Sequence, residues 1–218
     1  MRYFSSRKEA GQLLAERLHD YQYEKTIVLA LSVGGVLVGA QIAKRLHCLL
    51  TMLLTEEIVI PGENSIVGTV DQSGGFTYNR MLSAGELEYY TSEYHSVIED
   101  EKREKFHELN HILGEGGLLP REALRGHNVI LVEDASKNGI AFDTAADFLK
   151  FIKVQKIISA VPVASIGAVD RLHIISDEIH CLSVTENFFD PNHYYEDNNL
   201  PKREEVIAII NNIVQNWQ

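Results

Sequence analysis

The stretch Asn128-Val-Ile-Leu-Val-Glu-Asp-Ala-Ser-Lys-Asn-Gly-Ile-Ala141 decides the fold class of this chain. Residues 128–132 form a short run rich in β-branched side chains, which predicts a fully buried parallel strand. Glu133 and Asp134 stand where that strand ends, and a small polar loop leads to Gly139. A helix pattern then runs from about Ile140 to Phe151. Strand, acids, loop and helix in this order predict an α/β unit with a ligand site at the strand end.

The loop and the first turn of the predicted helix have the chemistry of an anion site, because their backbone N–H groups point into one concave space. Glu133 and Asp134 can hold hydroxyls or a hydrated cation beside it. Together they suit a sugar phosphate, with the acids on the ribose. The alternative is an ordinary strand-to-helix turn, where the helix dipole favours nearby acids. The predicted phosphate-binding residues are Ala135, Ser136, Lys137, Asn138, Gly139, Ile140 and Ala141.

A second strand–loop–helix unit lies near the N-terminus. Residues 26–31 predict a buried strand, and a helix pattern covers residues 36–46. Between them stands Ser32-Val33-Gly34-Gly35, whose glycine pair permits close approach of another backbone or ligand. A glycine pair is also common in the turn that ends a strand. The segment is therefore either a second ligand loop or a simple turn.

Composition bounds the class of protein. The 218 residues fit one α/β domain, and 45% of them are hydrophobic, as in an ordinary globular core. The net charge of −11 argues against non-specific binding of nucleic acid or of anionic membranes, although a local loop can still bind phosphate. Cys48 and Cys181 show no metal or disulfide spacing. With no leader and no stretch of membrane-spanning length, a cytoplasmic location is expected.

The remaining strand candidates mostly alternate with helix patterns, which predicts a doubly wound, mostly parallel sheet flanked by helices. Ligands of such sheets bind outside the carboxyl ends of the strands. Four segments begin at predicted strand ends: the Ser32 loop, the Glu56-Glu57 segment, the Glu133–Ala141 loop and an aromatic loop from Asn187 to Asp197. Their convergence predicts a single site.

These motifs resemble the type I phosphoribosyltransferase family over nearly the whole chain. Glu133 and Asp134 match the family's acids, and Gly139 matches its loop glycine, while Asn138 and Ala141 stand where two threonines are usual. Ala135 replaces a usual glycine. In the family, the Ser32–Gly35 position holds pyrophosphate, but here Ser32 and Val33 replace a proline and an arginine. Glu56 and Glu57 stand where relatives carry basic residues; they would repel a pyrophosphate, or they form a solvated strand end.

The resemblance also implies roles for other residues. It implies one domain over residues 1–218 with a flap at 62–82, and catalytic roles for Glu133 and Asp134 beside a ribose that gains positive charge. Mg²⁺ is expected only if phosphoribosyl pyrophosphate is bound, and no metal ligand is predicted directly. Dimerisation is common among relatives, so a homodimer is one expectation. The base-side candidates, which could instead form a hydrophobic plug, are Phe188, Phe189 and Tyr194.

Two functions follow from these observations. The first is a divergent phosphoribosyltransferase, which uses another leaving group or a flap cation such as Arg80. The second is a non-catalytic relative that keeps part of the site to bind a phosphoribosyl compound or nucleotide, for regulation or as a scaffold. Because the arginine and the basic pair are replaced at two loops, the sequence favours the second function.

Overall fold

The computed structural model describes residues 3–63, 65–113 and 120–215. Seven α-helices are described: α1 Arg7–Arg17, α2 Val33–Leu46, α3 Ala84–Glu93, α4 His95–Leu113, α5 Ile140–Leu149, α6 Ile166–Ile175 and α7 Arg203–Gln215. Eight strands are described: β1 Thr26–Ala30, β2 Leu49–Met52, β3 Thr55–Ile60, β4 Ser65–Asp71, β5 Phe76–Tyr78, β6 Asn128–Val132, β7 Lys156–Ser165 and β8 Glu178–Thr185. None of the described helices is both long and apolar enough to cross a membrane.

Five strands form the main sheet in the order β2-β1-β6-β7-β8, and every neighbouring pair is parallel. The predicted doubly wound fold class is therefore confirmed. Side chains of one strand alternate between the two faces. Val28 and Ala30 pack toward α1, α2 and α7, whereas Ile27 and Leu29 pack toward α5 and α6. Burial of both faces explains why β1 and β6 are nearly continuous apolar runs.

Local capping sets where several helices begin. The hydroxyls of Ser6, Ser32, Ser83 and Ser165 each accept a hydrogen bond from the backbone N–H three residues later. Helix α5 begins differently, after Gly139 at φ 72°, a left-handed conformation that favours glycine.

A small antiparallel sheet of β3, β4 and β5 stands apart from the main sheet. Its own apolar cluster joins side chains of β3 and β4 to Tyr90 of α3 and Ile98 of α4. The predicted flap at 62–82 contains β4 and β5, and its Asn64 lies outside the described residues. Because β3 follows β2 after two residues, the small sheet is held at the carboxyl edge of the main sheet.

Candidate ligand site at the carboxyl edge of the sheet

A cavity of about 490 Å³ lies where β1, β2 and β6 end. Its walls come from the ends of these strands and the segments that follow them, and from β3, β4, α4, α5 and α7. The lining residues are Leu31, Ser32, Val33, Met52, Leu53, Leu54, Thr55, Glu56, Glu57, Thr69, Leu109, Glu133, Asn138, Ile140, Ala141, Val206, Ile207 and Ile210. Three of the four predicted segments therefore meet at one cavity of the size usual for small-molecule sites.

The charge of this cavity is one-sided. Glu56, Glu57 and Glu133 line it, and the lining residues within the described chain include no lysine, arginine or histidine. Burial raises the pKa of Glu57, and the neighbouring charge of Glu56 raises it further. The two glutamates of β3 therefore line the cavity on its solvent-facing side, Glu56 half-buried and Glu57 exposed.

Glu133 is the predicted acid that reaches the cavity. Burial raises its pKa to about 8; a hydrogen bond from Ser136 opposes the shift, and the charges of Asp134 and Glu57 add to it. Its Oε2 atom is buried and has no hydrogen-bond partner among the described residues. The Glu133 carboxyl is therefore mostly protonated at neutral pH and has an oxygen free for a ligand.

Asp134 does not line the cavity, because its carboxylate belongs to a buried ion pair. Arg7 Nε donates to Oδ2 at 2.7 Å, and the Ser32 hydroxyl donates to Oδ1 at 2.9 Å. Arg7 is only 2% exposed. Both carboxylate oxygens are thus engaged within the protein, so the two adjacent acids have separate surroundings.

Arg7 extends this pair into a network with the C-terminal loop. Its Nη2 donates to Asn192 Oδ1 at 2.8 Å, and its guanidinium lies 4.5 Å from the ring centroid of Tyr195. The Tyr195 hydroxyl donates to the main-chain oxygen of Asp134, and burial raises the pKa of Tyr195, which keeps it a donor. Arg7 is the first residue of α1 and belongs to none of the segments that the sequence predicted for the site. The sequence offered one indication of this role: if Asp134 is buried, its carboxylate needs a cation as partner.

The predicted pyrophosphate segment is not a loop in the structure. Helix α2 begins at Val33, three residues earlier than the sequence pattern indicated, and Ser32 caps it by accepting from Gly35 N–H at 2.8 Å. A Cβ at Gly34 would lie 2.0 Å from Asp134 Oδ2, and one at Gly35 would lie 2.5 Å from the Val132 carbonyl oxygen. The glycines therefore let α2 approach β6, and only Ser32 and Val33 of this segment line the cavity.

The predicted phosphate loop is divided between the cavity and the core. Asn138, Ile140 and Ala141 line the cavity, and Asn138 Oδ1 accepts from Ile140 N–H at 3.1 Å. Ser136 is buried, and its backbone bonds to Val163 and Ser165 hold the loop beside β7. The remaining predicted loop residues do not line the cavity: Ala135 is buried in an apolar cluster, Lys137 is exposed, and Gly139 is the N-cap of α5.

The predicted base-side aromatics lie away from the cavity lining. Tyr194 is fully buried, and Phe188 packs on it with ring centroids 5.4 Å apart. Phe189 is 54% exposed. A backbone bond from Phe4 N–H to the Tyr194 carbonyl oxygen, 3.0 Å long, ties this loop to the N-terminal segment. The arrangement matches the hydrophobic plug that the sequence left as the alternative.

Two arginines near the cavity, Arg80 and Arg171, are paired with acids of α5. Arg80, which follows β5, donates to Asp143 at 3.2 Å and to Asp147 at 2.8 Å. Arg171 of α6 donates to Asp143 at 2.6 Å. Arg80 is thus held on α5 and does not line the cavity.

Whether Mg²⁺ fits this site depends on which side chains are available as metal ligands. In the part of the chain that the structure describes, no three acidic, histidine or cysteine side chains form a group that could hold a metal ion. Both oxygens of Asp134 already accept from Arg7 and Ser32. The described residues therefore do not fit a metal site built by the protein alone.

Comparison with known proteins places the chain in a family. It is 26% identical over 218 residues to a Mycobacterium tuberculosis H37Rv protein named "Putative phosphoribosyl transferase Rv0571c", a match that covers 96% of this chain and 47% of that protein. The chain thus spans about half the length of the curated relatives it matches. The crystal structure of TT1426 from Thermus thermophilus is similar, with 30% identity, a TM-score of 0.74, and coverage of 96% of this chain and 98% of that one. A family model described as "Phosphoribosyl transferase domain" matches residues 5–197, and the chain therefore belongs to the phosphoribosyl transferase domain family.

Proposed function

We propose that this chain binds a ribose 5-phosphate compound, such as a nucleoside monophosphate, and does not transfer the phosphoribosyl group from phosphoribosyl pyrophosphate. The observation that carries the proposal is the charge of the cavity. Glu56, Glu57 and Glu133 line it, with no basic side chain among the lining residues described.

The start of α5 supports binding of the 5′-phosphate. A helix leaves its first N–H groups without partners inside the helix, and its dipole favours an anion at that end. Asn138, Ile140 and Ala141 line the cavity at this end of α5, where the Ile140 N–H is already bonded to Asn138 Oδ1. Glu133 lies in the same cavity, where its free oxygen can accept a hydrogen bond from the rest of the ligand.

The acids support binding without transfer. Transfer needs positive groups that hold the departing pyrophosphate, and negative groups near the ribose as it becomes cationic. Glu56 and Glu57 would repel pyrophosphate. Glu133 is mostly neutral at pH 7 because burial raises its pKa, and the charge of Asp134 is compensated by Arg7. The described lining therefore has no positive group to hold the pyrophosphate, and the acids predicted beside the ribose do not supply a free negative charge.

Calorimetric titration with ribose 5-phosphate and with phosphoribosyl pyrophosphate, each with and without Mg²⁺, tests the proposal. We expect ribose 5-phosphate to bind at least as tightly as the pyrophosphate compound, with no dependence on Mg²⁺. Tighter, Mg²⁺-dependent binding of phosphoribosyl pyrophosphate would contradict the proposal and favour an active transferase. If neither compound bound, the chain would be a scaffold.

The variant Asn138→Asp tests the phosphate position. The new carboxylate can still accept from Ile140 N–H, as Asn138 Oδ1 does now, so the helix start should be retained. Its charge would repel a phosphate at this helix end, and we expect at least a tenfold loss of affinity for ribose 5-phosphate in the same titration. Asn110→Asp, the same change at an exposed position of α4, is the control and should bind as the wild type does.

A further inference from the structure

The acidic residues of the cavity come from two separate elements: Glu56 and Glu57 lie in β3, and Glu133 follows β6. Only the tertiary fold brings them to one cavity. Glu57 pairs with Thr69 across the β3–β4 ladder, and both line the cavity. The Thr69 hydroxyl hydrogen-bonds to that of Thr144 on α5. This bond holds the acidic strand beside the helix whose first turn forms the proposed phosphate position.

Glu133 adds an observation that points to a missing partner. Its Oε2 is buried and has no hydrogen-bond partner among the described residues. Leaving a buried polar atom unpaired is energetically unfavourable, and such atoms in folded proteins usually have a hydrogen-bond partner. A ligand with an N–H donor would supply that partner. Glu57 and Glu133 line the same cavity, so a cationic group bound there would lie near acids from two separate elements.

The other walls restrict what kind of cation fits. Leu53, Leu109, Val206 and Ile210 line the cavity beside the glutamates. A small inorganic cation keeps its water and gains nothing from such walls. The described residues also form no metal-binding group. An apolar ring or chain that carries the positive charge satisfies both the carboxylates and the apolar walls.

From this geometry we infer that the ligand is a nucleotide whose base carries a positive charge, as a protonated or N-alkylated base does. The base would face Glu57 and Glu133, and the phosphate would lie at the start of α5. This inference rests on the proposed function, since it places the phosphate of the same ligand. It also gives Glu57, one of the two glutamates that replace the usual basic residues, a role in selecting the ligand.

Two isomeric nucleotides provide the test: 1-methyladenosine 5′-monophosphate, whose base is cationic at pH 7, and N6-methyladenosine 5′-monophosphate, whose base is neutral. We expect calorimetry to show that the cationic isomer binds at least tenfold more tightly. In Glu57→Gln this preference should fall at least threefold. Glu63→Gln removes the same charge at an exposed position outside the cavity lining, and it should keep the full preference.

Titration with ribose 5-phosphate separates the two ideas. If ribose 5-phosphate and both isomers bind, but the isomers bind equally or the neutral one binds more tightly, this inference is overturned and the proposed function stands. A preference that persists unchanged in Glu57→Gln would also overturn it. If none of the three compounds binds, the proposed function fails and the inference fails with it.

Discussion

At the scale of single residues, the adjacent acids Glu133 and Asp134 serve different purposes. Consecutive side chains at the end of a strand point to opposite sides, so one acid meets the cavity and the other meets Arg7. Asp134 forms a buried ion pair with Arg7, whereas burial raises the pKa of Glu133 to about 8 and no cation is described beside it. The two acids look like one functional pair in the sequence, but Glu133 faces the proposed ligand site and Asp134 stabilises the structure.

The raised pKa of Glu133 predicts how stability depends on pH. Between its ordinary value of 4.5 and about 8, the folded state holds a proton that the unfolded state releases. The free energy of unfolding therefore falls as pH rises through this window, by up to about 1.4 kcal/mol per pH unit from this group. Glu133→Gln removes that dependence, and we expect the variant to be more stable than the wild type at pH 8 by about 2 kcal/mol or more.

Urea denaturation at pH 5, 6.5 and 8 measures this difference, which should be small at pH 5 and grow with pH. Glu63→Gln, an exposed glutamate, should follow the wild type throughout. A constant difference between Glu133→Gln and the wild type across the three pH values would rule out the buried, protonated carboxyl.

At the scale of elements, the contact between α2 and β6 depends on one missing side chain. A Cβ at Gly34 would lie 2.0 Å from Asp134 Oδ2 and 2.2 Å from its Cγ. Gly34→Ala must therefore displace the helix or the buried Arg7–Asp134 pair. We expect the free energy of unfolding to fall by about 3 kcal/mol or more, measured by urea denaturation.

Gly85→Ala provides the matched control within a helix. Gly85 lies in α3, and a Cβ there would meet no heavy atom within 4 Å. Alanine loses less conformational freedom on folding than glycine, so this variant should gain about 0.5–1 kcal/mol. Equal effects of the two substitutions would mean that the α2–β6 contact is not tightly packed.

At the scale of the whole molecule, Arg80 links the small sheet to the main domain. It follows β5 and pairs with Asp143 and Asp147 of α5. Asp143 keeps Arg171 as a second partner, so loss of Arg80 would not leave a buried charge alone. Arg80→Gln should remove a half-exposed pair worth about 1 kcal/mol. We expect amide hydrogen exchange in β4 and β5 to become about fivefold faster, with β1 and β6 unchanged.

Hydrogen exchange followed by mass spectrometry measures both sheets in one experiment. Arg103→Gln breaks an exposed ion pair with Asp100 within α4 and should leave both sheets unchanged. Faster exchange in both sheets of Arg80→Gln would indicate general destabilisation and contradict a local link.

Local patterns explain which parts of the fold were predictable. The predicted strand at 128–132 coincides with β6, and the predicted start of the next helix at Ile140 coincides with that of α5. Buried strands and amphipathic helices can be predicted from the pattern of apolar residues within a short segment. The start of α2 was predicted three residues late, because Gly34 and Gly35 have low helix propensity. Their place in the helix comes from packing on β6.

The sequence by itself determined the fold class, the family resemblance and the edge of the sheet where ligand loops meet. Only the tertiary structure decided which acid faces the cavity, because Arg7 reaches Asp134 across 127 positions of chain. It also decided that Glu56 and Glu57 join Glu133, since β3 belongs to a different sheet. Periodicity reports how a segment buries its own side chains. The charge of a cavity depends on distances between segments far apart in the chain, and one sequence does not contain those distances.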